Sequence, residues 1–139
     1  MIKKLEFAKE ELEKNGYTCF MTNGKEHLFS KERGVKPLIR WCEEKKDYSF
    51  FVSADKVVGK GAAFLYVLMK VKAVYAVVLS ESAKKVLEEN EIEVCCEKLV
   101  EAIRNRDNTG YCPIESALKG IEDKKEALPV IKETLEKLK

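Results

Sequence analysis

Apolar residues in this chain occur either at helical spacing or in the short continuous blocks typical of buried strands. Residues 2–15 carry apolar side chains on one side, and Asn15-Gly16 ends this predicted helix. Tyr17 to Thr22 and Glu26 to Ser30 favour strands, and the Asn23-Gly24 pair between them is a strong hairpin signal. The chain therefore begins with a packing helix followed by a hairpin.

The middle of the chain alternates between helical and strand patterns. The predicted elements are a helix from Val35 to about Lys45, strands at Tyr48–Val52, Ala73–Leu79 and Ile92–Cys96, and helices from about Lys56 to Val71 and from Ser80 to about Asn90. The block Ala73–Leu79 has no polar residue, which is typical of a strand covered on both faces, and we expect it at the centre of the sheet. Strand, helix and strand at this spacing predict parallel crossovers.

The C-terminal part is predicted to be mainly helical. A short helical turn is expected over Lys98–Arg104, and a new helix begins with Cys112 at the N-cap and Pro113 at the first helical position. Asp123 to Glu126 resembles a capping box before the last helix, whose apolar stripe is Leu128, Ile131, Leu135 and Leu138. We therefore predict one α/β domain over residues 1–139. It has three α/β/α layers, a mixed five-stranded sheet with the hairpin at one edge, and a helical C-terminal extension over about 113–139.

Composition narrows the classes of partner. The 139 residues are 45% hydrophobic and 36% charged, which suits one domain with its own core. The 26 basic residues are spread among 24 acidic ones, for a net charge of +2, so no cationic face for nucleic acid is expected. The longest apolar run is far shorter than the roughly 20 residues that span a bilayer, and no signal peptide is evident. We expect a cytoplasmic protein without a membrane partner.

Familiar cofactor and metal motifs are absent from the sequence. Gly59-Lys60-Gly61 lacks the spacing of a Walker loop, and no Gly-x-Gly-x-x-Gly occurs. The only histidine is His27, no Cys-x-x-Cys is present, and the five cysteines lack framework spacing. We predict no metal, no cofactor and no disulfide.

The turn expected after Val52 is the first candidate site. A helix N-terminus offers free N–H groups, so Ser53, Asp55 and Lys56 are candidates to hold a small polar ligand, with Lys60 one helical turn further on. The alternative is that Asp55 is a plain N-cap and that both lysines are simply solvated.

The segment before the helix at Pro113 is the second candidate. A cysteine at a helix N-terminus can be an activated thiol, so Cys112 is a candidate nucleophile, with Glu115 as its base or as a capping-box partner. The alternative is that Cys112 only fills an N-cap position. The preceding loop is rich in polar residues and supplies further candidate ligand-binding residues, namely Asn105, Arg106, Asp107 and Thr109.

Two segments of the sequence resemble a known family. The segments Ala54-Asp55-Lys56-Val57-Val58-Gly59-Lys60-Gly61-Ala62-Ala63 and Asn105-Arg106-Asp107-Asn108-Thr109-Gly110-Tyr111-Cys112-Pro113-Ile114-Glu115 resemble an uncharacterised prokaryotic family, domain of unknown function 1893, of the cytidine-deaminase-like superfamily. The resemblance implies a deaminase-like fold with a pocket where two helix starts meet. Zinc deaminases carry His-x-Glu and Pro-Cys-x-x-Cys at those starts. The corresponding segments here, Gly34–Pro37 and Ser53–Lys56, contain no such ligands, which argues against zinc chemistry.

The sequence leaves three functional hypotheses open. The leading one is a domain that binds a small polar or nucleotide-like molecule without zinc. The second is a cysteine-dependent enzyme that uses Cys112. The third is an interaction module in which the final helix docks a partner or a second copy of the chain.

Overall fold

A computed structural model describes residues 2–44, 46–104, 110 and 112–137 of the chain. In these ranges the elements are α1 (Ile2–Asn15), β1 (Cys19–Thr22), β2 (His27–Ser30), α2 (Lys36–Glu43), β3 (Val52–Val58), α3 (Lys60–Met69), β4 (Ala73–Ser80), α4 (Glu81–Glu89), β5 (Glu93–Val100), α5 (Pro113–Ala117) and α6 (Lys124–Lys137). The predicted order of helices and strands is confirmed from α1 to β5.

The five strands form one mixed sheet in the order β2-β1-β3-β4-β5. Strand β1 is antiparallel to both β2 and β3, whereas β3, β4 and β5 are parallel. The α/β class and the hairpin at one edge are therefore confirmed. The expectation that Ala73–Leu79 is the central strand is wrong, because β3 occupies that place and β4 lies next to it.

Helices cover both faces of the sheet. Helix α1 packs on β1, β3 and β4, where Ala8 and Leu12 meet Phe20, Ala54 and other buried side chains. On the opposite face α3 is the inner helix, and it contacts α2, α4, α5 and α6. From Ala73 to Val77, successive residues of β4 face the two sides in turn, which explains why this part of the strand has no charged residue.

The third strand and its helix begin later than predicted. Tyr48 and Phe51 are buried as expected, but they lie in a turn in which the Phe51 N–H donates to the Tyr48 carbonyl at 2.9 Å. Strand β3 then runs through Ser53 and Asp55 to Val58. The sequence pattern predicts that the strand ends at the first polar residues. These polar side chains remain inside the sheet because other buried polar groups bond them.

The predicted helical turn over Lys98–Arg104 is also wrong. Strand β5 continues through Lys98 to Val100, where Lys98 pairs with Val78 and Val100 with Ser80. The long strand β4 offers backbone groups along its whole length, and pairing with them fixes an extended conformation that the local apolar spacing does not show.

The final helix is used within the domain. The side chains of Ala127 and Ile131 are buried, and α6 packs against α3 and α5. At its start, Asp123 Oδ1 accepts a hydrogen bond from the Lys125 N–H at 2.8 Å, as an N-cap side chain does. The described part of the predicted apolar stripe therefore completes the chain's own core, and Leu138 lies outside the described residues.

Candidate functional site

Ser53 and Asp55 do not stand at a helix start, so the N-cap role considered for Asp55 is wrong. Both lie in β3, and because they are two residues apart they point to the same face of the sheet, towards α3. The N-cap of α3 is Gly59, which has an extended backbone and no side chain that could accept a hydrogen bond from the helix. Lys56 lies exposed in β3 and Lys60 opens α3, so the two lysines do not share a helix face.

Four polar side chains meet in the core between β1, β3 and α3. The Tyr66 hydroxyl donates to Asp55 Oδ2 at 2.6 Å, and it lies 2.8 Å from Ser53 Oγ. The Cys19 thiol lies 3.3 Å from the Tyr66 hydroxyl and 3.5 Å from Ser53 Oγ. We call Cys19, Ser53, Asp55 and Tyr66 the β3 polar cluster. Cross-strand pairing of Cys19 with Asp55 brings the two strands into this register.

Burial controls the protonation of the β3 polar cluster. Loss of solvent raises the pKa of the Asp55 carboxyl to about 7, although hydrogen bonds from Tyr66 and from backbone N–H groups oppose the change. Burial, and then the nearby Asp55 carboxylate, also raise the pKa of the Cys19 thiol far above its ordinary value. The pKa of the Tyr66 phenol is raised for the same two reasons. Asp55 is thus the member that titrates near neutral pH.

The two Asp55 oxygens are bonded differently. Oδ2 accepts the short bond from Tyr66, whereas Oδ1 accepts a long bond, at 3.3 Å, from the Val57 N–H, and the Lys56 N–H also bonds the carboxyl. A carboxylate oxygen can accept two hydrogen bonds. Asp55 retains 8% of its surface exposed, whereas Ser53 is completely buried. Asp55 is therefore the least buried member of the cluster.

The two sequence segments that carry the family resemblance meet in the fold, where their described residues pack closely against each other. A Cβ atom on Gly61 would lie 2.7 Å from Ile114 Cγ2, so only glycine allows α5 to lie this close to α3. The Lys60 ammonium donates to the Leu118 carbonyl at 2.9 Å, at the end of α5. The slender start of α3 thus accommodates α5 rather than an open pocket.

Glu115 takes part in a different arrangement from the one predicted. Its Oε1 accepts from Ser82 Oγ at 2.8 Å, and its Oε2 accepts from the Ile103 N–H at 2.8 Å. Ser80, at the end of β4, caps α4 by accepting from the Ala83 N–H at 3.2 Å, as predicted. Glu115 therefore ties α5 to the start of α4 and to the segment after β5, and the predicted capping box with Cys112 is wrong.

Cys112 is the N-cap of α5, as the sequence predicts. Its backbone N–H donates to the Ile103 carbonyl at 2.8 Å, and its side chain packs against the larger core cluster without capping the helix. Both Glu115 oxygens bond other groups, so Glu115 is not placed as a base for Cys112. A catalytic role for Cys112 and Glu115 stays a prediction.

Four candidates cannot be placed. Asn105, Arg106, Asp107 and Thr109 lie outside the described residues.

Cys19 and Tyr66 are the cluster members that the sequence analysis missed. A tyrosine inside the otherwise apolar helix α3 requires a partner for its hydroxyl, and a polar pair two residues apart in a buried strand requires partners on one face. These two signals together could have paired Tyr66 with Ser53 and Asp55.

Metal ligands do not gather in the described part of the chain. No group of three or more His, Cys, Asp or Glu side chains there is arranged to hold a metal ion. The helix starts at Lys36 and Lys60 carry Val35-Lys36-Pro37 and Gly59-Lys60-Gly61, which supply no thiolate, imidazole or carboxylate. Within the same described ranges, no helix is long and apolar enough to cross a membrane.

Comparisons with known proteins agree with this architecture. The family model described as "Domain of unknown function (DUF1893)" matches residues 7–135. A solved structure of a DUF1893 family protein (TM1506) from Thermotoga maritima is similar, with a TM-score of 0.87 and 25% sequence identity. The match covers 99% of this chain and 91% of that one. No curated protein matches the chain.

Proposed function

The chain belongs to the DUF1893 family, and we propose that this domain binds a small polar, nucleotide-like molecule through the Asp55 carboxyl. Tyr66 and Ser53 position that carboxyl, and the ligand approaches the oxygen that accepts the long bond from the Val57 N–H. The observation that carries the proposal is a buried carboxyl with one oxygen held by the short Tyr66 bond and the other by a longer backbone bond.

The cost of keeping Asp55 in the core supports this function. Asp55 lies in the middle of β3, on the face of the sheet that α3 covers, where the Tyr66 hydroxyl bonds it. A buried carboxyl bonded by a tyrosine is also costly to keep in a core. Perturbed titratable groups of this kind are concentrated at functional sites.

The protonation of Asp55 indicates which ligands fit. With a pKa of about 7, the carboxyl is present both protonated and ionised at neutral pH, so it can donate to a ligand or accept from it. Heterocycles with adjacent N–H donors and ring-nitrogen or carbonyl acceptors complement such a group, and nucleobases are the common example. The proposed ligand is therefore a nucleobase or a nucleoside-like molecule.

A cytidine-deaminase-like arrangement is part of the proposal. The strand order with β1 antiparallel to β3, and helices that begin after β2 and β3, support it. In zinc deaminases the metal ligands stand at the starts of those two helices. The residues at the two starts here do not fit zinc, so the proposed function uses the ligand site of such a fold without zinc-assisted hydrolysis.

The test is thermal denaturation of the full chain with free nucleobases, nucleosides and nucleoside monophosphates, followed by titration calorimetry of any compound that raises the melting temperature. Asp55→Asn keeps the shape of the side chain but cannot ionise, and we expect it to weaken binding about tenfold or more. Tyr66→Phe removes the bond that positions the carboxyl and should weaken binding less. Glu101→Gln, at an exposed position, is the matched control and should bind normally.

Two results would contradict the proposal. One is that no compound of these classes raises the melting temperature. The other is that a compound binds equally well to Asp55→Asn and to the unsubstituted chain, since the carboxyl would then take no part in binding.

A further inference from the structure

A cleft of about 350 Å³ lies at the end of the sheet where the parallel strands begin. It is formed where the chain enters β3 and β4, where it turns from α4 into β5, and where α6 begins. We call it the amino-end cleft, and its chemically distinctive lining residues are Phe50, Lys70, Lys72, Asn90, Glu91 and Lys124. Its volume lies within the range of small-molecule sites.

Phe50 gives the amino-end cleft an exposed aromatic ring. Its neighbours Tyr48 and Phe51 are buried and meet edge to face at 5.3 Å between ring centroids. Phe50 is 64% exposed, the largest value among the exposed large apolar side chains of the described residues. A single exposed apolar side chain is ordinary. An exposed ring that lines a cleft, however, offers a stacking surface for a flat heterocycle.

Cationic side chains line the same cleft as this ring. Lys70, Lys72 and Lys124 all line the cleft, and within the described residues none of them is in an ion pair. Glu91 is the acidic lining residue, and Asp47 lies close enough to Lys70 for the lysine to help lower its pKa, so three positive charges face two negative ones. The nearby Asp47 carboxylate accepts bonds from the Ser49 backbone and hydroxyl, at 2.9 and 2.6 Å. The surplus of positive charge favours an anionic ligand.

Two non-glycine residues of the amino-end cleft have a backbone conformation that favours glycine. Lys70 (φ 59°) and Glu91 (φ 60°) are the described non-glycine residues with positive φ, and both line the cleft. Lys70 is the C-cap residue of α3, where the left-handed conformation favours glycine. A lysine at such a position costs stability, which is consistent with a use for its charged side chain.

We propose that the amino-end cleft is a second binding site, for a small aromatic phosphate of mononucleotide size. The aromatic ring stacks on Phe50, and the phosphate lies among Lys70, Lys72 and Lys124. Asn90 donates its side-chain N–H to the Val86 carbonyl, so its Oδ1, together with Glu91, is available to accept from sugar hydroxyl groups. This site does not depend on Asp55, which lies in the middle of β3 and does not line the cleft.

Titration calorimetry of the full chain tests this site, with adenosine 5′-monophosphate as the probe. Adenosine and inorganic phosphate each present one half of the probe, and both should bind more weakly than the whole. Phe50→Ser should weaken binding about tenfold. Lys70→Gly should weaken binding several-fold without lowering the melting temperature, because glycine suits the backbone there. Phe29→Ser, at another exposed phenylalanine, and Lys25→Ala, in the hairpin turn, are matched controls that should bind normally.

Several results would overturn the proposal. Binding of the probe that is unchanged in Phe50→Ser would exclude stacking. Inorganic phosphate that binds as tightly as the probe would leave no role for the ring, and a single-stranded oligonucleotide that binds far more tightly would indicate a polyanion surface. Binding lost in Asp55→Asn but kept in Phe50→Ser would assign the nucleotide to the Asp55 site, whereas the reverse pattern supports the amino-end cleft and leaves the Asp55 proposal to its own test.

Discussion

The buried Asp55 carboxyl should make the stability of this protein depend on pH in an unusual direction. Its pKa is raised from 3.8 to about 7 by burial, so the folded chain holds the proton more strongly than the unfolded chain does. This contribution to stability is complete below about pH 4 and is lost as the pH rises through about 7. Cys19 and Tyr66 titrate above this window because burial raises the pKa of each.

The size of the pH-dependent change in the free energy of unfolding follows from the two pKa values of Asp55. Raising a pKa from 3.8 to about 7 corresponds to about 4 kcal/mol in the free energy of unfolding. In Asp55→Asn the amide cannot ionise, and its oxygen can still accept from the Tyr66 hydroxyl. We therefore expect the stability of Asp55→Asn relative to the unsubstituted chain to rise by about 4 kcal/mol between pH 4 and pH 8.

Urea denaturation at a series of pH values measures this difference, with fluorescence of the single tryptophan, the buried Trp41, as the signal. Asp47→Asn is the control with the opposite sign. Hydrogen bonds from Ser49 lower the pKa of Asp47, so the stability that Asp47 supplies is lost as the pH falls. A stability difference for Asp55→Asn that is flat with pH, or that falls as the pH rises, would refute the reasoning.

Three further predictions concern packing, backbone conformation and capping. Gly61→Ala should lower the free energy of unfolding by about 1–3 kcal/mol, because the new Cβ would lie 2.7 Å from Ile114 Cγ2, and Ile114→Val should not add its full cost in the double variant. Lys70→Gly should raise the free energy of unfolding by about 1 kcal/mol, since its φ of 59° suits glycine, and a decrease in urea denaturation would contradict this. Ser80→Ala should cost about 1 kcal/mol by the same measurement, because it removes the bond from the Ala83 N–H, and an unchanged midpoint would show that the cap contributes nothing.

The local sequence determined most of the element order. The predicted first helix coincides with α1, and the Asn-Gly turn, the cap at Ser80 and the N-cap at Cys112 lie where their residue types indicate. In each of these places neighbouring residues alone fix the backbone, through helical spacing, turn preference or a short side-chain bond to the backbone. The backbone conformation that such signals favour does not depend on which other elements pack against the segment.

Only the tertiary structure decided how far β3 and β5 extend and which polar residues meet. Serine and aspartate are typical of caps and turns. Ser53 and Asp55 nevertheless lie in a buried strand, because Tyr66 of the following helix α3 forms hydrogen bonds with both side chains. Glu115 likewise finds its partners in Ser82 and Ile103, far away in the sequence. A polar residue is stable in a core only when a distant partner satisfies it, and the pattern along the chain does not specify that partner.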